Sequence, residues 1–143
     1  MGHSTATVLV VDDELIDSTV MRRALEMVGH VVFEADSYDT ALQAFDAHED
    51  VELVVADVSL PSKDGIELAR ALLRKKPTLK FLFTSGWIGS EIMRSSGIPE
   101  LDRYFLAKPF RPDDLIAAVR RILDSSESFS IPDVAGDAAS SGA

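Results

Sequence analysis

The most informative segment of the sequence is LVVADVSLPSKDG, residues 53–65. It starts with four consecutive apolar residues, continues through Asp57 into a loop that contains proline, and ends on Asp64-Gly65. Asp64 can cap a helix, and Glu67 follows it in capping-box spacing. An unbroken apolar run is typical of a strand that is buried on both faces of a parallel sheet. The stretch therefore predicts a strand, a loop and a helix in succession.

The same succession recurs along the chain. The predicted strands are residues 8–11, 31–33, 53–56, 81–83 and 105–107. Apolar residues four apart (Ile16, Val20, Ala24, Val28) indicate a first helix, and Ser37 can cap a second. A third helix starts at Asp64, and a short fourth runs from near Ser90 to Gly97. Pro112 suits the first turn of a fifth helix. This alternation predicts an α/β fold with a single doubly wound, five-stranded parallel sheet.

Composition limits the possible functions. The chain has 143 residues, no cysteine and a net charge of −10, and 46% of its residues are apolar. We expect one domain at residues 7–124, between an N-terminal extension (1–6) and a flexible polar tail (125–143). The acidic charge argues against DNA binding, no apolar run approaches the ~20 residues of a membrane span, and no signal peptide is evident. These features predict a cytoplasmic protein without a membrane segment.

Side chains that carry chemistry follow four of the five predicted strands. Asp12 and Asp13 follow the first strand, Asp57 the third, Thr84 and Ser85 the fourth, and Lys108-Pro109 the fifth. In an open parallel sheet, ligands bind beyond the carboxyl ends of the strands. Taken alone, each residue has an ordinary explanation: Asp13 could cap a helix, Asp57 could lie in a loop, and Lys108 could be solvated. Their shared place at one sheet edge favours a joint site.

Three carboxylates at one edge require a cation. Two carboxylates about 5 Å apart repel by roughly 3 kcal/mol at an effective dielectric of about 20. Hard oxygen ligands favour Mg²⁺, which readily shares its coordination with a phosphate, whereas the lack of cysteine argues against zinc. With the Lys108 ammonium beside the metal, the edge is suited to binding a phosphoryl group.

The same residues resemble the response-regulator receiver domains. The resemblance rests on Asp12-Asp13, residues 57–65, Thr84-Ser85-Gly86 and Lys108-Pro109-Phe110, and covers about residues 7–124. It implies a flavodoxin-like receiver fold with strand order 2-1-3-4-5. It also implies that Asp57 accepts a phosphoryl group, that Asp13, Asp57 and the backbone carbonyl of Ser59 ligate Mg²⁺, that Asp12 acts through a metal-bound water, and that Lys108 contacts the phosphoryl group.

The resemblance further implies a conformational switch. Ser85, rather than Thr84, matches the switch hydroxyl of the family. Phe105 matches its aromatic switch position, with an ordinary core role as the alternative. The peptide bond before Pro109 is implied to be cis, which an X-Pro bond permits at small cost.

Other positions suggest where this chain departs from its relatives. Ser59 and Trp87 match positions that modulate dephosphorylation, and Trp87 either shields the phosphoryl group or contacts a partner. Pro99 forbids a long fourth helix, so the family's output surface on the fourth helix, fifth strand and fifth helix is expected to differ. Residues 83–87 and 104–110 resemble receivers attached to hybrid histidine kinases.

These observations predict a phosphorylation-dependent switch rather than an enzyme that acts on other molecules. The expected partners are a histidine kinase or histidine phosphotransfer protein and a downstream target, with a homodimer through the output surface as a further option. One alternative is a pseudo-receiver, which would be expected to lack the acceptor Asp57 or Lys108. Another is a phosphatase, which would need a general acid just after Asp57, where Val58 and Ser59 stand. His3, His30 and His48 show no phosphotransfer context.

Overall fold

Five parallel strands and five α-helices alternate along the part of the chain that the structure describes. The computed structural model describes residues 5–61, 63–98, 101–127 and 129–131. The strands are β1 (Thr7–Val11), β2 (Val31–Ala35), β3 (Val51–Asp57), β4 (Lys80–Ser85) and β5 (Phe105–Ala107). The helices are α1 (Leu15–Met27), α2 (Tyr38–Ala47), α3 (Gly65–Lys75), α4 (Trp87–Arg94) and α5 (Pro112–Asp124), and a 3₁₀ turn (Leu101–Tyr104) precedes β5.

The sheet has the predicted topology. Its strand order is β2-β1-β3-β4-β5, and every adjacent pair is parallel. Because β1 lies between β2 and β3, the chain reverses direction across the sheet after β2. The doubly wound α/β fold is therefore confirmed, and the ligand-binding edge is expected at the carboxyl ends of β1 and β3.

The sheet separates two apolar cores. Buried residues of α2, α3 and α4 pack on one face of the sheet, with Phe45, Leu72 and Met93 among them. Buried residues of α1 and α5 pack on the other face, including Leu25 and Val119. The central strands contribute to both cores, which explains why they are continuous apolar runs rather than alternating ones.

Three predicted helix starts agree with the structure, including that of α5, which begins at Pro112, and one is corrected. Ser37 caps α2, and its side chain accepts a hydrogen bond from Thr40 N. Asp64 caps α3 by accepting from Glu67 N at 2.9 Å. However, α4 begins at Trp87 rather than near Ser90. The capping residue of α4 is Gly86, which has no side chain to signal a helix start. Pro99 lies outside the described residues.

Only part of the apolar stripe that predicted α1 faces the core. Ile16 is 77% exposed and Val20 is 47% exposed, whereas Ala24 is buried. Met21 and Leu25, which lie beside the stripe, make the apolar core contacts. The periodicity therefore predicted the helix correctly but not its buried face.

The segment after α5 corrects part of the tail prediction. Phe129 is only 4% exposed, and its ring lies 5.2 Å from that of Phe81 and 4.8 Å from that of Tyr104. Lys80 Nζ donates to the carbonyl oxygens of Ile122 and Ser125, at 3.1 and 2.5 Å. The chain therefore continues to pack against the domain beyond Asp124. Residues 1–4 of the predicted extension (1–6) and the part of the predicted tail from residue 132 onwards lie outside the described residues.

Among the described ranges, no helix has both the length and the apolar character to cross a membrane.

Candidate functional site

Three predicted carboxylates meet at one edge of the sheet. Asp57 is the last residue of β3, and Asp12 follows the end of the neighbouring strand β1. One oxygen from each of Asp12, Asp13 and Asp57 lies within 4.8 Å of the other two. Asp12 and Asp57 are buried, whereas Asp13 is exposed. The sheet topology thus brings together residues that are far apart in the sequence.

Lys108 is the cation of this site. Its Nζ donates to Asp12 Oδ2 at 2.9 Å, to Asp57 Oδ2 at 2.9 Å and to Asp17 Oδ2 at 3.0 Å. Burial lowers the pKa of Lys108, but the hydrogen bonds to three carboxylates outweigh it and raise the pKa above its usual value. The lysine therefore stays charged across the physiological pH range.

The buried carboxylates are also held by the backbone. Asp57 Oδ1 accepts from Ser59 N at 2.8 Å, and Asp12 Oδ1 accepts from Glu14 N at 2.8 Å. Burial nevertheless raises the pKa of Asp12 above its usual value, because the charged form is poorly solvated there. Carboxylates outnumber the lysine, so the site is short of positive charge. Hard oxygen donors with this shortage fit a divalent cation such as Mg²⁺.

Gly65 lets α3 approach the end of β3. Its N–H donates to Val58 O at 2.9 Å, and a Cβ at this position would lie 2.6 Å from Asp57 O. Any side chain larger than hydrogen would push the loop away from Asp57. The glycine at the end of the segment 53–65 is thus explained by its close packing against Asp57.

The hydroxyls after β4 are buried at the same edge. Ser85 is fully buried, and its Oγ donates to Gly86 O at 2.9 Å. Its carbonyl accepts from Lys108 N at 2.8 Å, so the backbone links it to the lysine. Thr84 Oγ1 is buried and has no hydrogen-bond partner among the described residues. In this structure the predicted switch hydroxyl therefore points to its own loop.

The other predicted residues are placed less directly at the site. Phe105 is half-buried and packs against the core on the side of α2, α3 and α4. The Lys108-Pro109 peptide bond is cis, as predicted. Trp87 is the first residue of α4, and its side chain lies outside what the structure describes.

Asp17 belongs to the site but was not among the predicted residues. It lies in the first turn of α1, and its side chain is 46% exposed. Helix α1 begins at Leu15, just after Asp12 and Asp13, so its first turn lies at the same edge of the sheet. A predicted helix start directly after this acidic pair was therefore a signal that could have placed Asp17 near the site.

A charged lysine among buried carboxylates at a switch point is an arrangement suited to a phosphoryl group. A sequence model described as the response regulator receiver domain matches residues 8–120 of the chain. The chain belongs to this family. The resemblance noted in the sequence is thereby confirmed.

Individual relatives agree with this assignment. This receiver is 36% identical over 127 residues to the sensor kinase CckA of Brucella abortus (strain 2308), covering 86% of this chain and 13% of that protein. It is 33% identical over 119 residues to the transcriptional regulatory protein CpxR of Escherichia coli (strain K12), covering 83% and 50%. The chain thus spans half or less of these curated relatives. A sensor kinase among them agrees with the resemblance to kinase-attached receivers.

Solved structures share the fold. A response regulator receiver protein from Sinorhizobium medicae WSM419 superimposes with a TM-score of 0.75 at 28% identity, covering 87% of this chain and 98% of that one. NtrX from Brucella abortus gives a TM-score of 0.73 at 30% identity, covering 85% of this chain and 27% of that one.

Proposed function

We propose that this receiver accepts a phosphoryl group on Asp57 in the presence of Mg²⁺ and then regulates a partner protein. The observation that carries the proposal is the position of the Asp57 carboxylate. One of its oxygens is held by Lys108, and the group clusters with Asp12 and Asp13 at the carboxyl edge of the sheet. Acceptor, cation and metal-ligand oxygens are therefore in one place.

The chemistry follows from these contacts. A carboxylate oxygen of Asp57 attacks the phosphorus of a phosphohistidine, the P–N bond breaks, and the imidazole nitrogen keeps the bonding electrons and takes a proton. Lys108 binds the transferred oxygens and offsets their charge. We assign Asp12, Asp13, Asp57 and the Ser59 carbonyl to hold Mg²⁺, which would neutralise charge on the phosphoryl oxygens. The chain turns over no other substrate in this proposal.

The switch step requires Ser85 to change partner. Its hydroxyl now donates to Gly86 O, and rotation about χ1 would release it for a phosphoryl oxygen. Phe105 is half-buried against the core, and we assign it as the aromatic switch residue. Phosphorylation then shifts a population between two arrangements of the face formed by α4, β5 and α5. That face is the proposed contact for a downstream target or a second copy.

The surface beside Asp57 suits a protein donor. A cavity of about 400 Å³ is lined by Asp17, Val20, Met21, Lys108, Pro109 and Phe110. In the first turn of α1, Leu15 is 75% exposed and Ile16 is 77% exposed. Exposed apolar side chains next to a reactive group favour docking of another protein. We propose a histidine kinase or a histidine phosphotransfer protein as this donor, in the cytoplasm.

Mass spectrometry of the intact protein tests the proposal. The protein is incubated with Mg²⁺ and acetyl phosphate, and the expected result is the mass gain of one phosphoryl group. Asp57→Asn should show no gain, whereas the matched control Asp46→Asn, which alters an exposed ion pair with Lys75, should behave as the wild type. No gain in the wild type with any donor would favour a pseudo-receiver. Repeated turnover of a phosphate ester would favour a phosphatase.

A further inference from the structure

We propose that Asp17 is a placeholder for the phosphoryl group: it occupies a donor of Lys108 until a phosphoryl oxygen takes that donor over. The inference rests on the proposed function of Asp57. An ammonium group has three N–H donors. In this structure all three are engaged, by Asp12, Asp17 and Asp57. A phosphoryl oxygen can therefore accept a hydrogen bond from Lys108 only if one of these carboxylates gives up its own hydrogen bond to the lysine.

The three carboxylates differ in how easily they can be displaced. The Asp12 side chain is 0% exposed, and its other oxygen is held by Glu14 N. Asp57 is 8% exposed and itself carries the incoming group. Asp17 is 46% exposed and lies on the first turn of a surface helix. Water can solvate the Asp17 carboxylate when it leaves, so its release costs the least.

Charge favours the same exchange. A phosphoryl group on Asp57 would bring several negative oxygens to Lys108. The Asp17 carboxylate would then compete with these oxygens for the same N–H group of Lys108. Repulsion from Asp17 would oppose binding of the phosphoryl group until that side chain turns towards solvent. Asp17 lies outside the cluster of Asp12, Asp13 and Asp57. It should therefore affect phosphoryl binding more than metal binding.

The consequence is a residue that favours the unphosphorylated state without taking part in the chemistry. Removing its charge should make the site bind phosphoryl-like anions more tightly. An exposed ion pair contributes little, so we expect a gain in affinity of about two- to fivefold.

Binding of beryllium trifluoride, a non-transferable mimic of the phosphoryl group, tests this role. Affinity is measured for the Mg²⁺-loaded protein by ¹⁹F NMR, or by fluorescence of Trp87, the one tryptophan of the chain. Asp17→Asn should bind about two- to fivefold more tightly than the wild type. Asp17→Glu, which keeps the charge, should stay closer to the wild type, and Asp46→Asn should match it.

The outcomes are distinct. Equal or weaker binding by Asp17→Asn would overturn the placeholder role. If the wild type does not bind the mimic with Mg²⁺, the proposed function of Asp57 itself fails. Mg²⁺ affinity, titrated separately, should change less than mimic affinity; a larger change in metal affinity would assign Asp17 to the metal site instead.

Discussion

Gly65 allows α3 to pack directly against the backbone of Asp57, because glycine has no Cβ. A Cβ there would lie 2.6 Å from Asp57 O, too close for any real contact. We expect Gly65→Ala to lower the free energy of unfolding by about 1–3 kcal/mol, as overpacking does. Denaturant unfolding measures the change. Gly86→Ala is the control: nothing lies within 4 Å of its added Cβ, so it should show only the smaller loss expected when a glycine cap is replaced by alanine. An equal loss in both variants would contradict the steric explanation.

His30 makes stability depend on pH. It is 7% exposed, and its Nδ1 accepts a hydrogen bond from Ala6 N at 3.0 Å. Burial lowers the pKa of His30 below its ordinary value of 6.5. The unfolded chain therefore takes up a proton at a higher pH than the folded protein does, and stability falls as the pH drops through 6.5.

The variant His30→Gln isolates this effect. Glutamine can still accept from Ala6 N but does not titrate. We expect urea unfolding of the wild type to lose more stability between pH 7.5 and pH 5 than unfolding of the variant. His48→Gln serves as the control, since His48 is half-buried and stacks on Phe33. Equal pH dependence in wild type and His30→Gln would show that the histidine is not responsible.

Residue identity was the part of the site that the sequence revealed best. Asp12, Asp13, Asp57 and Lys108 were predicted to meet because each follows a strand, and the sheet does bring them together. Asp17 was missed because it lies inside a helix rather than at a strand end. The side-chain contact of Ser85 could not be predicted either, because a hydroxyl rotor has several partners within reach.

At the scale of elements, α1 has two apolar sides with different roles. Met21 and Leu25 pack in the core, while Ile16 and Val20 face outward. Apolar spacing alone could not tell these sides apart, because both repeat with helical period. The burial of the strands was easier to predict, since a central parallel strand is covered on both faces.

Ile16→Ser should separate the two kinds of phosphodonor. Ile16 is 77% exposed, so the substitution should leave stability within about 0.5 kcal/mol of the wild type. We expect phosphotransfer from a protein donor to slow by about tenfold, the effect of roughly 1.4 kcal/mol at a docking contact. The rate with acetyl phosphate should not change.

Met27→Ser is the control for this experiment. Met27 is 85% exposed but lies at the far end of α1 from the site. It should leave both rates unchanged. Slower transfer with acetyl phosphate in Ile16→Ser would mean that the substitution disturbs the site rather than the docking surface.

For the molecule as a whole, the apolar core is complete only with the segment that follows α5. Phe129 fills the core beside Phe81, Phe83 and Tyr104, and Glu127 pairs with Arg103 at 3.5 Å. The sequence prediction placed this segment in a flexible tail because its composition is polar on average. One buried phenylalanine hardly changes the average polarity of the segment, so its composition could not reveal that Phe129 packs in the core.

Phe129→Ala should therefore act as a core substitution. We expect it to cost about 3–5 kcal/mol of unfolding free energy, typical of a buried phenylalanine. Thermal or urea unfolding measures the loss. The exposed neighbour gives the control, since Ser130→Ala should stay within about 0.5 kcal/mol of the wild type. A small effect of Phe129→Ala would mean that the segment contributes little to the domain.

The position of Phe129 also matters while the protein is being made. A nascent chain that has released residues up to Asp124 already contains every strand and helix that the structure describes. Its core on the side of α2, α3 and α4 still lacks one aromatic ring. Because domains fold as units as they emerge from the ribosome, the domain reaches its full stability only when residue 129 has been synthesised and released.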